Sequence, residues 1–219
     1  MPDQPPQSTP PRDRIDRPPL PSARRIGTFG MILFLVALLM LFGASIVLYL
    51  LLRTGIFAPE GADLPELGTL DLPVVLWFST FVILVSSATL HYAGFSVALE
   101  RQKAFRRAML ATCMLGWLFL IIQLPALTAM IASQGELFAY DDPDTGQRGI
   151  RLYYFLVILV VLHGLHVLGG LVPLTVLTRN AFRGKYDHEH NHPIALFAMY
   201  WHFLDVIWIV MFSVFQFLG

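Results

Sequence analysis

The sequence predicts an all-α membrane protein, a bundle of five transmembrane helices with the N-terminus inside and the C-terminus outside. Three observations lead to this fold class. Only 14% of the 219 residues are charged and 56% are hydrophobic, whereas a soluble domain carries about 25% charged residues. The hydrophobic residues form five continuous runs, which indicates helices and not the alternating strands of a membrane barrel. The segments between the runs alternate in charge, and this alternation sets the orientation.

The first 26 residues differ from the rest of the chain. They hold eight prolines and charges of both signs, with almost no large apolar residue. This composition predicts a disordered cytoplasmic tail, and a Pro-rich binding motif is the alternative interpretation. A cleaved signal peptide is not expected, because the apolar run that follows is long enough to span the membrane. Residues 27–219 are predicted to form the transmembrane domain.

Five segments are long and apolar enough to cross a bilayer, which takes roughly 20 residues. They are predicted at 27–52, 73–97, 107–132, 150–178 and 193–218. Pro73 and Pro193 stand at helix starts, where the missing N–H costs nothing. Pro125 and Pro173 fall within spans and are expected to kink or loosen the third and fourth helices.

The loop charges predict the topology. Basic residues exceed acidic ones in the tail, in 98–106 and in 179–192, whereas acidic residues dominate 54–71 and 133–149. Because an excess of Lys and Arg marks cytoplasmic loops, the first group is predicted inside and the second outside.

Composition also excludes several function classes. The 15 Lys+Arg balance the 15 Asp+Glu, so no general basic surface for nucleic acid is expected. The single cysteine, Cys113, excludes an internal disulfide and a cysteine-based metal site, and it is interpreted as a small buried residue. No P-loop, nucleophile elbow, dinucleotide fingerprint or zincin motif is present.

Few polar residues lie at membrane depth, where each costs free energy. Asp205 is the sole carboxylate within the predicted spans, and His202 lies three residues before it. His163 and His166 share a face of the fourth helix in the same way. Both pairs fall near mid-membrane, which predicts a structural polar cluster in which Asp205 bonds His163 or His166. A pair internal to the fifth helix, His202–Asp205, is the competing arrangement.

Proton relay and haem ligation are the functional alternatives for these residues. Haem ligation by paired histidines is disfavoured because each histidine has a competing polar neighbour. His91 is interpreted as an interfacial histidine at the inner end of the second helix. His188, His190 and His192 alternate in the fourth loop; they are interpreted as a solvated loop, with metal binding as the alternative.

Two segments resemble a known family. Residues 200–208, YWHFLDVIW, resemble the YWHFVDVVW signature of the last helix of cytochrome c oxidase subunit III, and residues 162–170, LHGLHVLGG, resemble its FHGLHVxxG. Weaker similarities are GMILFL at 30–35, the Tyr49-to-Arg53 ending, SSAT at 86–89 and LGWLFL at 115–120 with Gln123. The resemblance covers about residues 27–219 in the family order and fits the short five-helix bacterial form.

Three carboxylates of that family are missing. The first-helix glutamate position falls at Leu38, the glutamate after LGxxFLxxQ is replaced by the stretch ending at Ala126, and the acidic position before YWHF is Ala195. The resemblance therefore extends to helix packing and partner binding, but a role that needs the first-helix glutamate, such as inside-facing proton delivery, is put in question.

The resemblance implies an accessory, non-redox subunit of a haem-copper terminal oxidase in the bacterial cytoplasmic membrane. Such a chain packs beside subunit I and subunit II, supports O2 reduction and proton pumping, and binds phospholipid without holding haem or copper. The residues expected to contact lipid or other subunits are Gly164, Gly169, Gly170, Trp201, Phe203 and Trp208. The alternatives are an accessory subunit of a nitric oxide reductase-like complex, a small transporter that uses Asp205 as a relay, and a membrane haem carrier.

Overall fold

A computed structural model describes residues 23–54, 74–138, 146–186 and 191–218. Within these ranges the regular structure is five α-helices: α1 Ala23–Thr54, α2 Val74–Ala98, α3 Gln102–Phe138, α4 Gly146–Phe182 and α5 His192–Leu218. Each contains a segment long and apolar enough to cross a membrane. The prediction of an all-α protein with five membrane-spanning helices is therefore confirmed, and its orientation stays a prediction.

The helices extend beyond the predicted spans. α1 begins at Ala23, so the last residues assigned to the tail are helical, and α3 runs from Gln102 to Phe138 although the apolar run predicts 107–132. α4 likewise extends past both of its predicted ends. A charged residue ends a hydrophobic run but does not end a helix, because the backbone hydrogen bonds continue through it. The described parts of the predicted loop 133–149, residues 133–138 and 146–149, are therefore helical. Most of the Pro-rich tail, Pro73, the segment 139–145, and His188 and His190 lie outside the described residues.

The helices run through their internal prolines. Pro125 lies within α3 and Pro173 within α4, and each helix continues as one element. Pro193 is the second residue of α5, and the Asn191 carbonyl accepts the hydrogen bond of the Ile194 N–H at 3.0 Å. The predicted role of Pro193 at a helix start is confirmed.

A tight turn joins α2 to α3. Glu100 has a φ of 58°, in the left-handed region, and the Arg101 N–H donates to the Ser96 carbonyl at 2.9 Å. This closes the C-terminal end of α2 and reverses the chain. α2 and α3 therefore lie side by side and antiparallel.

Helices α2 to α5 form a ring, and α1 lies against one edge of that ring. α2, α3, α4 and α5 each pack on the next, and α5 packs back on α2, while α1 contacts α4 and α5. Trp201 of α5 lies in this interior with 1% exposure. It fits there because Gly116 and Gly170 stand opposite: a Cβ at Gly116 would lie 3.1 Å from the Trp201 ring, and a Cβ at Gly170 3.3 Å from it. Small residues let the membrane helices approach closely.

Candidate functional site

The polar centre of the molecule lies between α2 and α5. Asp205 is buried with 4% exposure, and its Oδ2 lies 3.8 Å from Nδ1 of His202, one turn earlier on α5. The same Nδ1 lies 2.6 Å from the Ser87 hydroxyl of α2. His202 is therefore held between a carboxyl group on its own helix and a hydroxyl on the neighbouring helix. Its side chain is 37% exposed, so this centre reaches the surface of the chain.

The predicted bond from Asp205 to a histidine of α4 is wrong. Neither carboxyl oxygen of Asp205 has a hydrogen-bond partner among the described residues, and neither does the buried Nδ1 of His163. His166 uses its Nδ1 on the Leu162 carbonyl of its own helix at 2.7 Å. The competing arrangement, with Asp205 beside His202, is the one observed. Counting residues along α4 and α5 places the two pairs at the same depth. Depth alone does not determine which neighbouring helix a side chain faces.

The α4 histidines lie on the other side of α5, towards α1. The ring of Phe42 on α1 meets both histidines edge-on, with centroid distances of 6.0 Å to His163 and 5.4 Å to His166. Trp208 of α5 contacts both α2 and α4. Its Nε1 donates to the Thr80 hydroxyl of α2 at 3.0 Å, and its ring centroid lies 5.3 Å from that of His163. The four predicted residues therefore form two separate pairs, and a structural role for them stays a prediction.

Sequence reasoning missed the hydroxyl residues of α2. Besides Ser87, the Ser86 hydroxyl donates to the Thr112 carbonyl of α3 at 3.3 Å, and the hydroxyls of Thr89 and Thr112 lie 2.9 Å apart. The stretch 86–89 could have been recognised without the family resemblance. Three hydroxyls within one helical turn at membrane depth are themselves a signal of interhelical hydrogen bonds. Tyr200 was also missed: its hydroxyl donates to the His166 carbonyl at 2.7 Å.

The predicted contact residues divide into two groups. Trp201 and Trp208 are buried, and Gly170 lies against Tyr200 and Trp201, so these three pack within the chain and their assignment as surface contacts is corrected. Gly164 and Gly169 have open space where a Cβ would stand, and Phe203 is half-buried. Contact of Gly164, Gly169 and Phe203 with lipid or another subunit stays a prediction.

An apolar groove of about 770 Å³ lies between α1, α4 and α5. Its walls are mainly aliphatic and aromatic, for example Met31, Phe34 and Val172, and Gly169 also lines it. His166 and Tyr200 are its polar members. The His166 Nδ1 and the Tyr200 hydroxyl are each bonded to a backbone carbonyl, so these atoms are already satisfied within the chain. Such a groove accommodates an apolar chain better than a charged group.

The described residues contain no group of three His, Cys, Asp or Glu side chains arranged to hold a metal ion. His192, the described member of the predicted loop cluster, has its Nε2 3.1 Å from the Thr28 hydroxyl and so links the start of α5 to α1. Of the positions where the family carboxylates are missing, Leu38 is buried in the apolar core and Ala195 is exposed. The side chain at Ala126 lies outside the described set.

Comparison with known proteins gives consistent matches. The family model described as "Cytochrome c oxidase subunit III" matches residues 23–219. A relative from Thermostichus vulcanus, "Cytochrome c oxidase subunit 3", is 28% identical over 188 residues, which cover 84% of this chain and 83% of the relative. A Synechocystis protein of the same name is 30% identical, with coverage of 84% and 72%. A "Probable quinol oxidase subunit 3" from Staphylococcus aureus is 29% identical, with coverage of 89% and 90%.

Proposed function

The chain belongs to the cytochrome c oxidase subunit III family, and from this premise we propose that it is the accessory subunit of a haem-copper terminal oxidase, packed beside subunit I and subunit II. The observation that carries the proposal is the family match over residues 23–219, which includes all five helices. In this role the chain supports O2 reduction and proton pumping by the catalytic subunit. It takes no part in electron transfer itself.

The geometry of the histidines supports a non-redox role. The ring of His163 is flanked by Phe42 and Trp208, and the Nδ1 of His166 faces its own helix backbone. Haem ligation between two helices needs histidines that face each other across a slot wide enough for the porphyrin. Because His163 packs as a core residue and His166 bonds its own helix, we place the haems and copper in the partner subunits.

The relatives are named for two kinds of oxidase. Those called cytochrome c oxidase subunit 3 and those called quinol oxidase subunit 3 match this chain at nearly the same identity. The proposal therefore covers the oxidase class as a whole and is not restricted to one electron donor. The alternatives of a transporter, a haem carrier and a nitric oxide reductase-like subunit gain no support from these names, and no feature of the site favours them.

We also propose that phospholipid acyl chains bind in the groove between α1, α4 and α5. The aliphatic and aromatic walls fit hydrocarbon, and the bonds already made by His166 and Tyr200 leave little to attract a headgroup at that depth. The headgroups would then lie at the ends of the groove, at the membrane surface.

The proposed location is the bacterial cytoplasmic membrane, with the N-terminus inside. The five spanning helices support a multi-pass membrane protein. The charges of the connecting segments support the orientation, because basic residues exceed acidic ones in 98–106 and acidic ones dominate 54–71.

Purification of the tagged chain under mild detergent tests the proposed function. We expect a haem-containing catalytic subunit and subunit II to co-purify, identified by mass spectrometry and by the haem absorption spectrum. The chain separated from that complex is expected to carry neither haem nor copper in stoichiometric amount. Haem or copper retained by the separated chain, or purification without any oxidase subunit, would contradict the proposal.

A further inference from the structure

α2 presents a stripe of exposed residues along one face. Six exposed positions follow alternating steps of four and three residues, which place them on one face of a helix. They are Trp77, Phe81, Leu84, Ala88, His91 and Phe95. This is the spacing with which one helix packs along another. All of these positions except His91 are apolar.

α5 presents a second stripe beside it. Met199, His202, Val206 and Ile209 follow the same steps and are exposed, or partly exposed in the case of His202. The two helices pack together along their length: the rings of Trp77 and Phe212 lie 4.8 Å apart near one end, and Ser87 bonds His202 further along. The two stripes therefore form one surface, which we call the α2–α5 face.

Two imidazole rings meet on the α2–α5 face. The centroids of His91 and His202 lie 6.4 Å apart, so the exposed His91 lies near the depth of His202, deeper than the interfacial position expected for it. His202 lies about 15 Å along α5 from its start, which is close to the middle of a hydrocarbon layer of about 30 Å. Behind His202 lies the buried Asp205, whose carboxyl oxygens have no hydrogen-bond partner among the described residues.

Lipid is a poor neighbour for this face. Acyl chains offer no hydrogen-bond donors or acceptors, and a polar group exposed to hydrocarbon costs free energy unless it is bonded. The groove between α1, α4 and α5 differs, because its His166 Nδ1 and Tyr200 hydroxyl are bonded within the chain. On the α2–α5 face the His202 Nδ1 is bonded to Ser87, but no hydrogen bond among the described residues reaches His91. The two surfaces therefore favour different occupants: hydrocarbon in the groove and a polar partner at the His91–His202 pair.

We propose that the α2–α5 face is the docking surface for a transmembrane helix of the oxidase catalytic subunit, and that a polar side chain of that helix hydrogen-bonds the His91–His202 pair. The proposal rests on the proposed function, which supplies a membrane-embedded partner. The helical spacing of the two stripes fits a helix, and the imidazole pair requires a hydrogen-bonding group at one depth. A helix with one polar residue among apolar ones meets both requirements.

Site-specific photocrosslinking in cells tests which face is covered. A photoreactive amino acid would replace Ala88 on α2 or Val206 on α5, both exposed on the face. Met114 on α3 is the matched control, because it is 65% exposed and α3 lies across the ring from α5. It is also at a similar depth, since the nearby Thr112 bonds Thr89, the residue after Ala88. We expect adducts with the catalytic subunit from positions 88 and 206, and at least several-fold fewer from position 114.

The outcomes separate this inference from the proposed function. Adducts with the catalytic subunit from position 114 but not from 88 and 206 would overturn the docking face and leave the accessory role intact. Adducts of positions 88 and 206 with lipid alone, or with a second copy of this chain, would also overturn it. Failure of the unsubstituted tagged chain to co-purify with any haem-containing subunit would instead contradict the proposed function.

Substitution of the exposed histidine tests the polar contact. His91→Leu removes an exposed imidazole and keeps an apolar side chain on the stripe, and Tyr92→Leu is the control because Tyr92 is exposed on the next residue, off the stripe. We expect His91→Leu to lower the catalytic subunit retained after detergent washing by about three- to ten-fold, in line with modest hydrogen bonds in membranes. Tyr92→Leu should retain it within about two-fold of the unsubstituted chain. Equal retention in both variants, with both folded by size-exclusion chromatography, would overturn the polar contact.

Discussion

The hydroxyl of Ser87 and the Nδ1 of His202 lie 2.6 Å apart, and this hydrogen bond joins α2 to α5 beside the buried Asp205. It does two things for the fold. It fixes the orientation of the His202 ring next to the carboxyl group, and it links two helices that are far apart in the sequence. A serine hydroxyl at this position thus sets the geometry of the polar centre.

Replacement of Ser87 by Ala is expected to destabilise the protein by about 1 kcal/mol, the usual scale for one interhelical hydrogen bond in a membrane. Ser45→Ala is the control, because the Ser45 hydroxyl donates to the Leu41 carbonyl of its own helix. It should change the free energy of unfolding by less than about 0.5 kcal/mol. Unfolding in detergent, followed by circular dichroism, measures both variants. Equal losses would show that the bond between α2 and α5 contributes nothing specific.

The glycines that receive Trp201 give a second prediction. A Cβ at Gly170 would lie 2.8 Å from Cε1 of Tyr200, and one at Gly116 would lie 2.8 Å from Leu171. Neither neighbour can move freely, since Leu171 is fully buried and Tyr200 is nearly so. Gly170→Ala and Gly116→Ala are therefore expected to cost about 1–3 kcal/mol through overpacking.

Gly43 and Gly164 are the matched controls for these substitutions, because they lie within helices and an added Cβ at either would meet no atom within 4 Å. Gly43→Ala and Gly164→Ala should be neutral or stabilising by up to about 1 kcal/mol, since alanine is the better helix former. Thermal unfolding of the four variants in one detergent checks the difference. Comparable losses at all four glycines would argue against the close packing around Trp201.

Sequence patterns predicted the five helices because each contains a long apolar run, broken in α5 only by Asp205. The helix ends were less well predicted: the residues at the start of α3, Gln102 to Arg106, are polar or charged in three of five positions, yet they are helical and bring Phe105 into the core. Membrane depth is visible in hydropathy, whereas the start of α3 is set by the turn at the positive-φ residue Glu100 just before it.

The sequence identified the polar residues within the membrane, but it did not predict which of them lie in contact. Counting residues along α4 and α5 places His163, His166, His202 and Asp205 at similar depth, because the rise of a helix is constant. The rotation of each helix about its axis depends on packing with all its neighbours. Phe42 of α1 packs on the α4 histidines, whereas His202 bonds Ser87 of α2, so the two pairs face different helices. No local spacing in the sequence carries that information.

The orientation in the membrane gives a third prediction. In a Cys113→Ala background, single cysteines at Lys103 and Lys185 should react with a membrane-impermeant maleimide only after the cells are opened, because both segments are rich in basic residues. A cysteine at Asp63 should react in intact cells, since that segment is acidic. Labelling of Lys103→Cys in intact cells would reverse the orientation. Retention of the full complex in the Cys113→Ala background is the control for correct assembly.

The neighbour of Asp205 gives the last prediction. Because the carboxyl group lies 3.8 Å from the His202 ring, the effects of Asp205→Asn and His202→Gln should be coupled. A double-mutant cycle for these two substitutions is expected to give a coupling energy of about 0.5–1 kcal/mol. The effects of Asp205→Asn and His166→Gln on the free energy of unfolding should instead be additive within about 0.3–0.5 kcal/mol. His166 is the appropriate comparison, since it lies on the groove side and bonds Leu162. Unfolding free energies of the single and double variants in detergent supply both cycles. A larger coupling energy for Asp205 with His166 than with His202 would contradict this prediction and support a polar contact between α4 and α5.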